Sequence, residues 1–447
     1  MTSSFDLIVI GDDEAALCAA ACAGQAGARA AIIRTQDKGA PQLGNPSPSC
    51  ARVPNFVWRR LNLNAYGLHL DPVSARITLF ADGGAISTGV EPRATAFTLA
   101  DEAPSDSALW SSFVDDLRVL SEADLLTGAA TSAVLNGADL PARLYEDPRA
   151  LGAVRTLSGS CAAILDDYFE HDPLKLHVAA HALGASGLGG EEPGSALTLT
   201  ELFEEDAWRV RAPASGPSVK NALIASCRAE GVSIIDDDLM SISKRRSKYH
   251  LVETSADEAI KSRFVMFATP EAAAQQGVID ASSPLSAPGA AVAVLRLKMR
   301  KPIKAPNGDD RAVFQIVGDA AELQSARDAV VDGRLPDQLP LAFEFCDNGD
   351  IIARTSYCPA RFRMDGEWRA WTGQDRQAAS ARMTERLSKR LRNLSENVAA
   401  SEIEIFGEGD PNSRASISPL SDVIVQPQRH NAISAAVKLV DRILSLD

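Results

Sequence analysis

The sequence predicts an α/β fold that opens on a parallel sheet. Residues 5–10 form a short apolar run that ends on Gly11, which is typical of a buried parallel strand. Residues 17–23 are small and helix-prone, and residues 30–33 form a second apolar run. A strand, a tight turn, an alanine-rich helix and a second strand within about 30 residues predict the βαβ unit of a dinucleotide-binding fold.

The length of the chain predicts more than one domain. Its 447 residues exceed the size of about 250–300 residues at which single hydrophobic cores stop growing. Hydrophobic residues make up 45% and charged residues 23%, which excludes a disordered or fibrous chain. The 59 acids outnumber the 45 Lys and Arg, for a net charge of −14. Such a surface repels nucleic acids and anionic membranes, so neither is expected as the main partner.

The sequence predicts a cytoplasmic protein. No apolar run approaches the roughly 20 residues that cross a bilayer, so no transmembrane segment is expected. The first ten residues lack the basic start of a signal peptide. The seven cysteines are an odd number scattered along the chain, as expected for reduced thiols.

The turn after the first strand departs from the G-x-G-x-x-G fingerprint of dinucleotide sites. Its three positions are Gly11, Asp13 and Ala16. Alanine is accepted at the third position, but the second glycine normally lets the backbone approach the pyrophosphate. Asp13 puts a side chain and a negative charge there, flanked by Asp12 and Glu14. These carboxylates can cap the helix N-terminus that would otherwise bind an anion.

The end of the second strand also departs from the fingerprint, because Arg34 stands where an acid would hold the ribose hydroxyls. Three interpretations remain open. The βαβ unit is structural and its nucleotide site is lost, or FAD binds in an altered pose, or Arg34 binds the 2′-phosphate of NADP. The last of these leaves Asp13 facing the pyrophosphate.

Five segments of the chain carry a resemblance to a known family. They are residues 5–34, 67–84, 161–175 (CAAILDDYFEHDPLK), 217–242 together with 264–270, and 430–432 (HNA). On these segments the chain resembles the FAD-dependent oxidoreductases of the phytoene desaturase and amine oxidase type. Its closest branch in this respect is the pyridine nucleotide-disulphide oxidoreductase domain 2 proteins.

The resemblance implies a glutathione-reductase-like, Rossmann-type FAD/NAD(P)-binding domain with an inserted α+β substrate domain. The nucleotide domain would comprise residues 1–60, 212–285 and 400–447, and the substrate domain residues 61–211 and 286–399. FAD is the implied cofactor. The implied cofactor-binding positions, retained or vestigial, are Gly11, Asp13, Glu14, Ala16, Arg34, Met240, Ala268, Thr269 and Asn431, and Met240 would offer its backbone to the adenine.

The family's C-terminal flavin segment is altered here. Where the family has three consecutive glycines, we align Ser421, Asp422 and Val423. The family's Gly-Gly loop after the second strand is also missing between Arg34 and Gly44. Side chains or charges therefore stand wherever the backbone of a relative approaches FAD, and FAD is expected to be absent or altered in its binding.

These departures predict a pseudo-oxidoreductase that acts as a regulatory or partner subunit, either in a homo-oligomer or with a related active flavoprotein. One alternative is an active FAD-dependent oxidoreductase on a lipophilic substrate, and a second is an NADP-binding sensor. The sequence leaves open whether the chain is an enzyme, and no residue can be assigned as a catalytic base.

Four further patterns have structural explanations. His177 and His181 share a spacing that metals use, but no acid lies at a compatible position, so we expect core or solvated histidines and no metal. Cys18 and Cys22 are small residues that face a sheet. Residues 244–248 form a basic hairpin turn, and the glycine-rich residues 184–194 form a loop or an active-site lid.

Overall fold

Two seven-stranded sheets organise the protein in the computed structural model. The structure describes residues 4–11, 14–34, 55–72, 74–89, 91–101, 103–122, 159–184, 186–199, 208–211, 219–245, 249–256, 259–267, 290–346, 348–406 and 423–425, and positions 437, 440 and 444. None of the helices within these ranges has the length and apolar character needed to cross a membrane.

Strands and helices are numbered in chain order. The strands are β1 (Ser4–Ile10), β2 (Ala30–Ile33), β3 (His69–Pro72), β4 (Ala75–Leu79), β5 (Ala85–Gly89), β6 (Trp208–Arg211), β7 (Ser233–Ile235), β8 (Leu239–Arg245), β9 (Tyr249–Thr254), β10 (Ala259–Phe267), β11 (Ala290–Met299), β12 (Val313–Ile316), β13 (Leu341–Phe345), β14 (Ile351–Pro359), β15 (Phe362–Met364), β16 (Glu367–Arg369), β17 (Val398–Phe406) and β18 (Val423–Val425).

The helices with defined bounds lie singly or in groups between these strands along the chain. They are α1 (Glu14–Gln25), α2 (Asn55–Arg60), α3 (Pro92–Leu99), α4 (Pro104–Glu122), α5 (Cys161–Tyr168), α6 (Asp172–Leu183), α7 (Val219–Ala229), α8 (Ala320–Val331), α9 (Gly373–Ser388) and α10 (Leu394–Asn397). Short 3₁₀ turns lie at Leu63–Tyr66 and Ser195–Leu197.

The first sheet has a parallel core with an antiparallel extension. Its parallel strands run in the order β7, β2, β1, β10, with β18 on the far side of β10. The first half of β10 pairs instead with β9, and β9 pairs with β8, both antiparallel. The predicted βαβ unit of β1, α1 and β2 is confirmed.

Small residues let α1 lie close to its neighbours. Ala16, Cys18 and Cys22 on this helix are fully buried in the core that α1 shares with α7. A Cβ atom on Gly24 would lie 2.7 Å from the Glu230 carbonyl oxygen, in the turn after α7. The expectation that Cys18 and Cys22 are packing residues is confirmed.

The second sheet has the order β17, β11, β14, β13, β12, β4, β5. One face is apolar and packs against α9 through Met383 and Leu387. The opposite face meets α6 beside β4 and β5, where helix residues join the core of α4 and α5. The mixed pairing and flanking helices give this part of the chain an α+β character.

One alignment made from sequence is wrong. Val423 does not occupy a glycine-loop position, because residues 423–425 form β18 and pair in parallel with residues 265–267. The sequence also contains no glycine after Gly409. The domain boundaries stay a prediction, and β17, which spans the proposed limit at 400, pairs with β11 of the second sheet.

Candidate functional site

The candidate site lies at the carboxyl ends of the parallel strands in the first sheet. The strands β2 and β10 flank β1 on opposite sides, and β2 follows β1 through α1. In open α/β sheets, ligands bind in the crevice where the strand order reverses in this way. The predicted positions Gly11, Glu14, Ala16 and Arg34 all belong to this βαβ unit.

Gly11 ends β1 in a conformation that favours glycine. Its φ angle is 145°, and its N–H donates a 3.1 Å hydrogen bond to the carbonyl of Ile33. Side chains rarely adopt such a positive φ, so the glycine is explained by the backbone of the turn alone. Asp13 lies outside the described residues.

The two predicted positions on α1 have different environments. Glu14 is the first residue of α1 and partly buried, which places a carboxylate at the positive end of the helix dipole. Ala16 is fully buried within the core of the sheet and helix. Its lack of a longer side chain allows the close approach of helix and strand that the fingerprint's third position requires.

The end of β2 is tied to the end of β7 by an ion pair. The Arg34 guanidinium Nη1 lies 3.1 Å from Asp236 Oδ1, and the Arg34 N–H donates to the Ile235 carbonyl at 2.9 Å. The Arg34 side chain is 23% exposed and that of Asp236 59%. The cation at the predicted ribose position is therefore already matched by a carboxylate of the chain.

Asp236 is the residue that the sequence analysis missed. The available signal was the run of three aspartates at 236–238 directly after an apolar strand. Asp237 of that run points elsewhere, because its carboxylate accepts hydrogen bonds from the Ser255 hydroxyl and from the Ala256 N–H at 2.8 Å. The hydrogen bond from Ser255 is the main cause that lowers the pKa of Asp237 to about 2.

The remaining predicted positions are not brought to this edge by described contacts. Met240 lies on β8 at a register irregularity and is 65% exposed, while its neighbour Leu239 is buried in the core with Ile10 and Ile33. Ala268, Thr269 and Asn431 lie outside the described residues.

The two histidines on α6 are core residues, as expected. His177 is buried, with Nδ1 2.8 Å from Thr78 Oγ1 and Nε2 2.9 Å from Thr88 Oγ1. Burial lowers the pKa of His177 to about 3. The His181 ring packs edge-on against it at 4.8 Å. Across the described residues, no group of three or more His, Cys, Asp or Glu could hold a metal ion.

The glycine-rich loop is packed against the second sheet and α8. Tyr357 donates from its hydroxyl to the Leu188 carbonyl at 3.0 Å, and Arg327 pairs with Glu192. A Cβ on Gly187, whose φ is 70°, would lie 2.4 Å from the Ser356 carbonyl oxygen. This close packing favours a structural loop over a lid.

Comparisons with solved structures identify the fold. Putrescine oxidase bound to putrescine is 13% identical with a TM-score of 0.54, and the match covers all of both chains. Cyclohexylamine oxidase from Brevibacterium oxydans is 13% identical over 99% of both chains with a TM-score of 0.52. Rab GDI from Plasmodium falciparum is 10% identical with a TM-score of 0.51, over 100% of this chain and 98% of that one.

At these identities the likeness shows the fold alone. No protein-family model matches the chain, and no curated protein matches its sequence. The protein therefore has a Rossmann-type α/β fold that it shares with putrescine oxidase and cyclohexylamine oxidase, as the sequence predicts. The finer likeness to the domain 2 branch stays a prediction.

Proposed function

We propose that this protein is a pseudo-oxidoreductase, which keeps the flavoprotein fold but acts as a partner or regulatory subunit. The observation that carries the proposal is the ion pair between Arg34 and Asp236 at the ends of β2 and β7. A ribose subsite of the usual kind offers a carboxylate to neutral hydroxyls. Here that position holds a cation that the chain itself neutralises.

The phosphate end of the same edge supports the proposal. A pyrophosphate needs exposed N–H groups and a positive field at the helix N-terminus. Glu14 begins α1, and Asp12 and Asp13 directly precede it in the sequence. A carboxylate at a helix N-terminus competes with a phosphate for the same positive field, and its negative charge repels the phosphate.

The C-terminal segment supports the proposal as well. Flavin-contacting loops need glycines where the backbone approaches the ring, but no glycine follows β18 in the sequence. Taken together, the donor set at this edge fits FAD poorly. Arg34 and Asp236 pair with each other at this edge, and we assign these residues no redox step.

A partner role is consistent with the range of proteins that share this fold. The similar structures include Rab GDI as well as putrescine oxidase and cyclohexylamine oxidase. The name Rab GDI, unlike the other two, is not that of an oxidase. The same fold can thus carry different functions, so the function has to be inferred from the residues of the site.

Calorimetric titration with FAD tests the proposal. We expect no saturable binding tighter than a Kd of about 0.1 mM, because charge opposes both ends of the dinucleotide. Stoichiometric binding at micromolar Kd would refute the pseudo-oxidoreductase.

A variant that restores the fingerprint tests which residues prevent nucleotide binding. Asp13→Gly removes the central acid, and Arg34→Glu with Asp236→Ser restores a ribose carboxylate without an opposing acid. We expect this triple variant to gain at least about tenfold in nucleotide affinity, or 1.4 kcal/mol. An unchanged affinity would instead assign the block to the glycine-free C-terminal segment.

An active FAD-dependent oxidoreductase is the second candidate. The φ of Gly11 and the burial of Ala16 favour it, since both retain the first and third features of the fingerprint. Both are explained equally by the packing of the βαβ unit. NADP binding through Arg34 has less support, because Asp236 already meets that cation.

A further inference from the structure

Opposite charges concentrate on two different surfaces beside the second sheet. Residues 298–304 and 389–402 hold seven Lys and Arg but only two acids, in a chain whose net charge is −14. We define the basic edge by the exposed cations in these segments: Lys298, Arg300, Lys301, Lys304, Lys389 and Arg392. It lies beside β11 and β17, at one end of the strand order.

Backbone contacts hold the two basic segments together. The Arg300 N–H donates to the Asn397 carbonyl at 2.7 Å, and its Nη1 contacts the Glu396 carbonyl at 3.5 Å. On β11, Lys298 pairs with Ala400 of β17. The nearby Asp350 accepts the Met299 N–H at 2.8 Å, and Glu385 lies 2.8 Å from the Lys389 ammonium, so these two acids join the two within the segments. Cations remain in clear excess.

An acidic face lies beside the other edge of the same sheet. Residues 115–118 of α4 and 166–175 of α5 and α6 hold six acids against two Lys and Arg. We define the acidic face by the exposed Asp115, Asp116, Asp166, Asp167, Glu170 and Asp172. The Tyr168 hydroxyl donates to Asp116 at 2.5 Å and joins α5 to α4.

The acidic face is anchored near β4 and β5. His177 of α6 contacts Thr78 on β4 and Thr88 on β5. Lys175 offsets part of the charge, with its ammonium 2.9 Å from Asp166 and 2.7 Å from Asp172. The helices α4, α5 and α6 share a core with Tyr357 of β14, so the acidic face lies over one face of the sheet as well as beside β4 and β5.

We propose that the basic edge of one copy of this chain docks on the acidic face of a second copy. Clustered like charges repel one another, so each surface is less stable alone than against its opposite. Both surfaces lie outside the first sheet, and the inference does not depend on flavin binding there.

Sedimentation velocity on the full-length protein tests the association. We expect a larger species at an ionic strength of about 0.02 M that dissociates at about 0.5 M, because salt screens exposed charges. A monomer at both ionic strengths would overturn the proposal, and so would an assembly that salt leaves intact.

Paired charge reversals identify the surfaces. Arg300→Glu with Lys301→Glu should weaken self-association at least about tenfold, and Asp166→Lys with Asp167→Lys should do the same. Mixing the two variants should restore a complex, because each then supplies the charge the other lacks. A mixture that stays monomeric would contradict the assignment.

A matched control distinguishes the loss of a specific surface from a change in net charge. Arg228→Glu with Arg263→Glu changes the net charge equally at exposed positions outside both surfaces. This control should associate like the unmodified chain, and all variants should keep its far-UV circular dichroism. If the control weakens association as much as the basic-edge variant, the proposal is wrong.

Binding of RNA or of phosphatidylserine vesicles by an otherwise monomeric chain would assign the basic edge to another partner and overturn the proposal as well.

Discussion

At the scale of single residues, the ion pair between Arg34 and Asp236 decides how the nucleotide edge is interpreted. The sequence shows the unusual arginine but does not identify its partner. The two residues are 202 positions apart, and only the parallel pairing of β2 with β7 brings them together. An arginine at this position predicts a 2′-phosphate site when considered alone. With Asp236 beside it, the same arginine has an ion-pair partner within the chain.

Removing the partner carboxylate should expose that cation. In Asp236→Asn, Arg34 loses the ion pair with Asp236, and we expect NADP to bind at least about fivefold more tightly than to the unmodified chain, or about 1 kcal/mol. The control is Asp237→Asn, whose carboxylate already accepts from Ala256. Calorimetric titration of both variants checks the prediction, and equal affinities in the two would speak against a role for the pair.

His177 should make stability depend on pH. Burial holds its pKa near 3, below the usual value of 6.5. Between these values the unfolded chain binds a proton that the folded chain does not, so stability is full above pH 6.5 and falls as the pH drops toward 3. The slope is about 1.4 kcal/mol per pH unit.

Urea denaturation at several pH values measures this slope. His177→Gln retains hydrogen-bonding groups for Thr78 and Thr88 but does not titrate, so the variant should lose that part of the pH dependence. An unchanged slope would mean that His177 does not stay neutral in the folded protein.

At the scale of elements, the glycine-rich loop at 184–194 is a packing device. Gly187 and Gly194 both have positive φ, at 70° and 82°, yet only Gly187 faces the backbone of Ser356. We expect Gly194→Ala to cost about 1 kcal/mol from its φ alone. Gly187→Ala adds a steric clash and should cost about 3 kcal/mol or more. The difference in the free energy of unfolding isolates the clash, and equal losses would contradict it.

Local sequence patterns predicted the elements of the first βαβ unit. The apolar runs of β1 and β2 and the small residues of α1 gave the βαβ unit directly, because strand burial and helix packing both leave a sequence signal. The strand β18 was missed because it has only three residues, and its place beside β10 depends on residues far away in sequence. Aligning its first residue, Val423, to a glycine loop was therefore wrong.

At the scale of the whole molecule, the acid excess has an uneven distribution that bears on function. Asp12 and Asp13 directly precede Glu14 of α1 in the sequence, six exposed acids form the acidic face, and exposed cations concentrate at the basic edge. Net charge alone predicted which partners the surface repels. The structure adds that exposed acids cluster on α4, α5 and α6, while exposed cations cluster beside β11 and β17.

The flavin content of the purified protein tests the central claim most directly. The chain is incubated with excess FAD, desalted, and its absorbance is recorded near the flavin band at about 450 nm. We predict that no flavin remains with the protein, because charges oppose the dinucleotide at both ends of the first sheet's edge. A band corresponding to one flavin per chain would contradict the pseudo-oxidoreductase.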